Sequence, residues 1–270
     1  MTDHYAVIGN PVEHSKSPQI HARFAEQTGQ DLEYSRLWAP LDGFAHVAGE
    51  FFSGGGKGLN VTVPFKEEAY RFSTHLTDRA TRAGAVNTLR ADPDGTLGDN
   101  TDGAGLVRDL RRNLGVEIAG KCVLVVGAGG AARGILPALL DEAPAAVAVA
   151  NRTAEKAYRL AEAMPGITGY GFDTLPATRF DLIINGTATG LSGSALPLPE
   201  GLADRDTACY DLVYADRPTV FMEWAAARNA GLVSDGLGML VEQAAESFFI
   251  WRGVRPETKP VLDSLRSANR

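Results

Sequence analysis

The segment Cys122–Leu140, CVLVVGAGGAARGILPALL, decides the fold class. A continuous apolar strand runs into Gly127-Ala-Gly129-Gly-Ala-Ala132 and then into a helix. In the dinucleotide-binding fingerprint the first glycine makes the tight turn and the second lets the backbone approach a pyrophosphate. The third, replaced here by Ala132, allows the helix to pack closely on the strand. A glycine pattern between a strand and a helix therefore predicts a Rossmann domain, with a tight turn that binds nothing as the alternative.

The end of the next strand, AAVAVA, distinguishes between two nucleotide cofactors. An NAD enzyme usually carries an acidic residue there for the ribose 2′-hydroxyl. This strand instead ends in Asn151-Arg152-Thr153, and Lys156 follows one turn later. Because a guanidinium presents a planar fork of donors suited to a phosphate, the pattern favours NADP over NAD. The alternative is that Arg152 is a solvated loop residue and Thr153 only a helix N-cap.

The first hundred residues alternate short strands with helices, which favours a mainly parallel α/β sheet. The predicted strands cover 5–9, 32–38, 58–63 and 85–89, the predicted helices cover 17–29, 41–52 and 64–72, and Asp-Gly in 91–99 predicts a hairpin.

A helix is predicted from Asp102 to a stop at Gly115, followed by a second α/β run. The last predicted element is an amphipathic helix in 237–253. Its predicted apolar face consists of Leu240, Val241, Ala244, Ala245, Phe248 and Phe249.

The composition excludes several classes of protein. The net charge of −7 argues against a nucleic-acid partner, which needs a basic face, but leaves small anions open. Cys122 and Cys209 lie in apolar stretches and are expected to be small buried hydrophobes, with no disulfide framework and no metal site. The N-terminus lacks the features of a signal peptide and no apolar run reaches membrane-spanning length. A cytoplasmic protein without a membrane partner is therefore expected.

The stretch NVTVPFK, residues 60–66, places a lysine where a helix disfavours one. The alternation of Leu59, Val61 and Val63 predicts a strand, and Pro64 suits the first position of a helix. Lys66 then lies in the first helical turn, against the helix dipole. If the carboxylate of Asp102 faced it, the ammonium would be held in place beside a polar substrate. The alternatives are a solvated surface lysine and an aspartate that only caps its helix.

Further polar residues lie near the ends of predicted elements. Some of them have an ordinary structural explanation and others have none. Ser17, before Pro18, could be a helix N-cap, whereas Ser15 has no such explanation. Gln243 borders the apolar face of the last helix, where a rim residue is the default.

Taken together, these segments identify a family. The chain resembles shikimate dehydrogenases in segments that occur in the family's order between residues 9 and 251: GNPVEHSKSP, NVTVPFK, AGAVNT, GDNTDGAG, VVGAGGAARG, NRTAEK and GLGMLVEQAAESFFIW. The resemblance implies a reversible, NADPH-dependent reduction of 3-dehydroshikimate to shikimate, on the way to chorismate and the aromatic amino acids. It also implies an N-terminal substrate-binding domain (1–101), a Rossmann NADP-binding domain (102–236) and C-terminal helices (237–270) that pack back on the first domain.

The resemblance assigns roles to individual residues. Lys66 would be the acid/base residue and Asp102 its partner. The residues that would bind substrate are Ser15 and Ser17 at its carboxylate, and Asn60, Thr62, Asn87, Tyr214 and Gln243 around it. The residues that would bind the pyrophosphate are Gly127, Ala128, Gly129, Gly130 and Ala131. Those around the 2′-phosphate would be Asn151, Arg152, Thr153 and Lys156. Gly236 and Met239 would lie near the nicotinamide, and Thr187 would also bind the cofactor.

Two departures from the family pattern lie in the loops that carry Thr187 and Tyr214. The chain has Asn185-Gly-Thr187-Ala188 where the family often reads Asn-Ala-Thr-Ser or Asn-Ala-Thr-Pro, and Ala215-Asp216 follows Tyr214 in place of Asn-Pro. An enzyme of the same fold that acts on quinate as well as shikimate, and a non-catalytic NADP-binding regulator, remain as alternatives. A monomer or a homodimer is expected.

Overall fold

The computed structural model describes residues 2–187 and 197–268, which form two compact units. The first unit contains the chain up to Leu106 and again from Leu240 onward, and the second runs Val107–Met239. Both units are α/β, so the expected fold class, two α/β domains with mainly parallel sheets, is confirmed.

The first unit is built on a sheet of six strands within the described chain, in the order β2-β1-β3-β5-β6-β4. Strand β1 pairs in parallel with β2 and β3, and β4 pairs in parallel with β6, while β5 is antiparallel to β3 and β6. The strands are β1 (Asp3–Gly9), β2 (Leu32–Trp38), β3 (Gly58–Val61), β4 (His75–Leu76), β5 (Thr88–Asp92) and β6 (Gly95–Asp99). The predicted hairpin is therefore present between β5 and β6.

The helices of this part of the chain cover the sheet and carry several polar residues at their first positions. They are α1 (Ser17–Thr28), α2 (Phe44–Ser53), α3 (Lys66–Phe72), α4 (Asp78–Ala83) and α5 (Asp102–Arg108). Buried side chains of β1, β3 and β5 meet Phe44 and Phe65 beneath α2 and α3. This core fixes the ends of the strands from which the polar residues project.

Several predicted boundaries in this unit are wrong. Strand β3 ends at Val61, because the backbone then turns and Phe65 N donates to Thr62 O at 3.0 Å. Pro64 consequently precedes α3 and is not its first residue, although Lys66 does lie in the first turn as predicted. The strand expected over 85–89 begins only at Thr88.

The second unit contains a parallel sheet in the order β12-β11-β10-β7-β8-β9, counted over the described residues. The strands are β7 (Cys122–Val126), β8 (Ala146–Asn151), β9 (Ile167–Gly171), β10 (Leu182–Asn185), β11 (Ala208–Asp211) and β12 (Leu232–Ser234), and the helices between them are α6 (Gly130–Asp141), α7 (Ala154–Ala163) and α8 (Val220–Ala226). Strand order reverses on either side of β7, where doubly wound sheets bind their ligands. As expected, both cysteines lie on strands; Cys209 is fully buried and Cys122 half-buried.

The helix predicted to run unbroken from Asp102 changes character after Arg108. Residues Asp109–Asn113 form a π-helical turn, in which Leu114 N donates to Asp109 O at 3.1 Å. Gly115, at φ +67°, ends the helical segment where the sequence predicted a stop.

The last two helices are α9 (Leu237–Arg252) and α10 (Lys259–Ala268). The predicted apolar face of α9 is mostly buried, but including Phe249 in it was wrong, because this ring is exposed and the Arg255 guanidinium lies over it at 4.6 Å. Polar residues of α9, among them Gln243 and Glu246, are buried instead. None of the helices among the described residues is long and apolar enough to cross a bilayer.

Glu246 belongs to an ion cluster that ties α9 to the sheet of the first unit. Arg79 binds both carboxylate oxygens of Asp99, at 2.5 and 2.7 Å, and also Glu246 Oε1 at 3.1 Å. Arg255 binds the other oxygen of Glu246 at 2.7 Å. Burial alone would raise the pKa of Glu246, but the hydrogen bonds and charges of Arg255 and Arg79 lower it to about 2.

Because the pKa of Glu246 is lowered, the free energy of unfolding depends on pH. A carboxylate with a lowered folded-state pKa stabilises the fold above its ordinary value, here 4.5, and that contribution is lost as the pH falls toward about 2. We expect the stability difference between the parent and Glu246→Gln to shrink by about 2 kcal/mol over this range, since both arginines are partly solvated. Urea unfolding at several pH values measures it. Glu257→Gln, at an exposed position, should track the parent, and a difference independent of pH would contradict the charge role.

Candidate active site

Lys66 and Asp102 form an ion pair in the first unit. Each is the first residue of its helix, α3 and α5, and Lys66 Nζ lies 2.5 Å from Asp102 Oδ2. The two side chains are 16% and 6% exposed, so the pair is largely shielded from water. Asn87 Nδ2 donates to the other carboxylate oxygen at 2.8 Å. The ammonium is thus held by a carboxylate that is itself fixed at both oxygens.

The position of Lys66 against the helix dipole has a local explanation. Glu67 and Glu68 occupy the first turn of α3 and favour its positive end. Asp102 adds a third negative charge, which is in direct contact with the Lys66 ammonium. The surface-lysine alternative does not fit this burial, and the carboxylate of Asp102 is occupied by side chains.

Asn87 links this pair to α9. Its Nδ2 lies within hydrogen-bond distance of Asp102 Oδ1, Thr101 Oγ1 at 3.0 Å and Gln243 Oε1 at 3.3 Å. Its Oδ1 accepts from the backbone N of Thr101 at 2.8 Å. An amide nitrogen carries two hydrogens, so three acceptors compete for them. The longest contact, to Gln243, is the one that a ligand oxygen displaces at least cost.

Asn60, on β3, is tied into the same unit more completely. Its Oδ1 accepts from Tyr34 Oη at 2.7 Å, and its Nδ2 donates to Ser247 Oγ at 3.0 Å and lies 3.3 Å from Thr88 Oγ1 and from the Asn87 carbonyl. Both amide hydrogens therefore have partners inside the protein. This geometry suits a residue that orients its neighbours better than one that donates directly to a ligand.

Sequence reasoning missed several members of this polar set. Tyr34, Thr88, Thr101 and Ser247 connect the predicted residues, but the sequence-based prediction assigns none of the four a role. Ser247 accepts from or donates to Thr88 at 2.8 Å and Thr101 at 3.2 Å. It lies four residues after Gln243, on the same face of α9, and this spacing is the signal that could have identified it.

Ser15 and Ser17 present neighbouring hydroxyls at the start of α1. Ser15 Oγ donates to Ser17 Oγ at 3.1 Å. The helix begins at Ser17 with Lys16 at the cap position, so Ser17 is not the N-cap. Arg36, which the sequence did not single out, binds the Ser15 carbonyl through Nη2 at 2.6 Å and Nε at 3.1 Å, with the rest of its guanidinium exposed. Two hydroxyls and a cation suit a carboxylate.

Thr62 lies in the turn after β3 and so is not part of the strand that carries Asn60. It is half-buried, and its backbone N donates to Ile8 O at 2.9 Å. A Cβ at Gly9 would lie 2.4 Å from Thr62 Cγ2, so only glycine leaves room for this side chain.

The glycine-rich turn lies between β7 and α6 in the second unit. Gly127 has φ +109°, and its N donates to Ala150 O at 2.7 Å. Gly129 caps α6, and a Cβ there would meet nothing within 4 Å. Ala132 is fully buried at the position of the third glycine. The turn therefore leaves open space before the positive end of a helix with no acidic residue in its first turn, as a pyrophosphate requires. The predicted Ala128, Gly130 and Ala131 belong to the same turn.

The predicted 2′-phosphate residues lie at the end of β8. Asn151 Nδ2 donates to Thr153 O at 2.9 Å and shapes the loop, while Arg152 and Lys156 are exposed. The Thr153 side chain makes no capping hydrogen bond to α7, which removes the simple N-cap explanation. Two exposed cations one turn apart suit a phosphate.

The remaining predicted residues also lie in the second unit. Thr187 Oγ1 donates to Asn185 Oδ1 at 2.7 Å, and Asn185 Nδ2 donates to the buried Asp211 at 3.0 Å. Burial raises the pKa of Asp211, against the hydrogen bonds that lower it. Tyr214 is half-buried in the loop after β11. Gly236 and Met239 are buried, and Ala188 lies outside the described residues.

Metal ligation has no candidate among the described residues, where no three histidine, cysteine or acidic side chains cluster suitably.

Three family models match segments of this chain. The family model described as "Shikimate dehydrogenase substrate binding domain" matches residues 7–89. "Shikimate / quinate 5-dehydrogenase" matches 109–191, and "Shikimate 5'-dehydrogenase C-terminal domain" matches 236–266.

Individual relatives match over nearly their whole length. A protein named "Shikimate dehydrogenase (NADP(+))" from Halorhodospira halophila is 60% identical, over 98% of this chain and 99% of the relative. One of the same name from Alkalilimnicola ehrlichii is 57% identical, with 98% and 99% covered. A crystal structure of shikimate 5-dehydrogenase from Thermus thermophilus, in complex with NADP(H) and shikimate, is 34% identical with a TM-score of 0.88, covering 99% of this chain and 100% of that one. The chain belongs to the shikimate dehydrogenase family.

Proposed function

We propose that this chain catalyses the reversible, NADPH-dependent reduction of 3-dehydroshikimate to shikimate. The observation that carries the proposal is the Lys66–Asp102 pair, because it supplies a positioned proton donor in a chain of this family. The surrounding hydroxyl and amide groups suit a small polyhydroxylated acid, since buried polar groups reject analogues that leave them unpaired. The product belongs to the route to chorismate and the aromatic amino acids.

Proton transfer is the step assigned to Lys66. NADPH, when bound, supplies the hydride that reaches the carbonyl carbon. The ammonium of Lys66 donates its proton to the carbonyl oxygen as that oxygen gains charge, which completes the hydroxyl. Asp102 keeps the ammonium oriented and accepts a hydrogen bond from a substrate hydroxyl. In the direction of shikimate oxidation Lys66 has to accept the proton, so the neutral amine is the reactive form.

Substrate binding is divided among the other polar residues of the proposal. Ser15 and Ser17 hold the carboxylate, and Gln243 and Asn87 exchange their mutual contact for contacts to ring hydroxyls. Thr62 and Tyr214 contribute further contacts, and Asn60 acts mainly by orienting its neighbours.

Cofactor binding is proposed for the second unit. The open turn at Gly129 fits a pyrophosphate, and Arg152 with Lys156 fits a 2′-phosphate. Gly236 and Met239 are assigned to the nicotinamide end of the cofactor, and Thr187 is assigned to the cofactor as well. The boundaries 1–101, 102–236 and 237–270, a cytoplasmic location and a monomeric or homodimeric state are part of the same proposal.

The deciding experiment follows NADPH absorbance with 3-dehydroshikimate as substrate. We expect turnover with NADPH and much slower turnover with NADH, because Arg152 replaces the acidic residue that NAD enzymes use. Shikimate and quinate, each tested in the oxidation direction, separate the two substrate alternatives. Absence of turnover with both cofactors would reject the enzymatic proposal in favour of a non-catalytic NADP-binding regulator.

Lys66→Ala tests the proton donor. We expect kcat to fall by about two to four orders of magnitude with little change in KM, the range for loss of a general acid–base group. The matched control is Lys57→Ala, which removes an exposed lysine from the same unit and should leave kcat unchanged. Near-parental kcat in a folded Lys66→Ala variant would assign proton transfer to another group.

Arg152→Asp tests the choice of cofactor. Loss of a charge-assisted hydrogen bond and reversal of charge should weaken NADPH binding about a hundredfold and NADH binding far less. Arg159→Asp is the control, because Arg159 is an exposed arginine of α7 that pairs with Glu155 at 3.1 Å. Equal losses for both cofactors, measured as dissociation constants, would reject the phosphate contact.

A further inference from the structure

A buried carboxylate in the second unit has no role in the reaction described so far. Asp109 is fully buried in the π-helical turn after α5. Its Oδ1 accepts from Asn113 Nδ2 at 2.8 Å, and its Oδ2 accepts from Tyr210 Oη at 2.7 Å. Burying an acidic group costs free energy even when it is hydrogen-bonded, so a purely structural site is more stably filled by apolar side chains.

Tyr210 transmits the position of this carboxylate to another part of the chain. Its side chain is fully buried on β11, and besides donating to Asp109 it accepts from the backbone N of Met239 at 3.2 Å. Burial, followed by the charge of Asp109, raises the pKa of Tyr210 well above its ordinary value. The phenol therefore keeps its proton at every working pH and remains the donor to Asp109.

Steric contacts restrict the same segment from two further sides. A Cβ at Gly238 would lie 2.1 Å from Asp109 Oδ1, and a Cβ at Gly236 would lie 2.3 Å from Leu212 O. Gly236 N also donates to Val213 O at 3.2 Å. The backbone of residues 236–239 is thus held by two close approaches that only glycine permits and by the hydrogen bond from Met239.

We propose that Tyr210 and Asp109 are positioning residues that set the backbone at Met239 for the nicotinamide end of the cofactor. The inference rests on the proposed function, which assigns Gly236 and Met239 to that end. It adds that two buried side chains, neither in contact with the cofactor, fix the position and orientation of the backbone at residues 236–239. Placing a hydride donor needs sub-ångström accuracy, and an error of 1 Å costs about a hundredfold in rate.

The π-helical turn contributes to this positioning. It admits one extra residue into the helical path and carries Asp109 at its first position. Such turns occur mostly as single insertions and often at functional sites.

Tyr210→Phe is the test variant, because it removes one oxygen and keeps the ring. We compare its affinity for NADP with that for adenosine 2′,5′-bisphosphate, a probe that lacks the nicotinamide. The expected result is a loss of about five- to tenfold for NADP, the net value of one hydrogen bond, with no change for the bisphosphate. We also expect kcat to fall about ten- to a hundredfold.

The control is Tyr5→Phe, in which a tyrosine of the first unit loses a hydrogen bond from Arg252 Nη1 at 3.3 Å. It should lower thermal stability and leave both affinities unchanged. Gly238→Ala is a second test variant that displaces the Asp109 carboxylate by contact, and it should reproduce the selective loss for NADP.

Equal losses for both ligands, or parental values for both in folded Tyr210→Phe, would overturn the inference. This comparison uses binding alone and needs no turnover. A parent chain that binds NADP but does not reduce 3-dehydroshikimate would therefore reject the proposed function separately.

Discussion

The carboxylate of Asp102 is the point on which the polar interior of the first unit depends. One oxygen holds Lys66 and the other holds Asn87, so the charge of the ammonium and the orientation of the amide are set together. Asn87 in turn fixes Thr101 and meets Gln243 on α9. A partly satisfied network of this kind would cost more than an apolar core, which explains why nearly every group in it has more than one partner.

The two units solve the problem of orienting polar groups in similar ways. In each, a residue that the proposal places next to a ligand is held by a buried partner that does not touch the ligand. Thr101 does this for Asn87, and Tyr210 does it for the backbone of Met239. The positions of the ligand-contacting groups therefore depend on buried side chains that do not contact the ligand. Substitutions of these side chains should change the kinetics while leaving the ligand-contacting groups chemically unchanged.

Sequence reasoning succeeded where a signal was local. Strand β7, Gly127 and α6 follow one another directly in the sequence, which is the dinucleotide-binding pattern. Lys66 is recognisable because the dipole of a helix disfavours a cation in the first turn. It failed where partners are distant: Ser247 is an ordinary helical serine until its contact with Asn60, 187 residues away, is known. The π-helical turn leaves no periodic trace, and its Asp109 is explained by Tyr210, 101 residues further on. Strand β4, two residues long, is too short to show any period.

The exposed guanidinium of Arg36 has a consequence for how an anion arrives. The chain carries a net charge of −7, so at long range a carboxylate is repelled. Arg36 is anchored by two hydrogen bonds to the Ser15 carbonyl, which keeps its positive charge at one place on the surface. Fixed local charge of this kind raises the encounter rate of an oppositely charged small molecule, and the gain fades as ionic strength rises. The hydroxyls of Ser15 and Ser17 then bind an anion that the local charge of Arg36 has attracted in spite of the repulsion from the net negative charge of the chain.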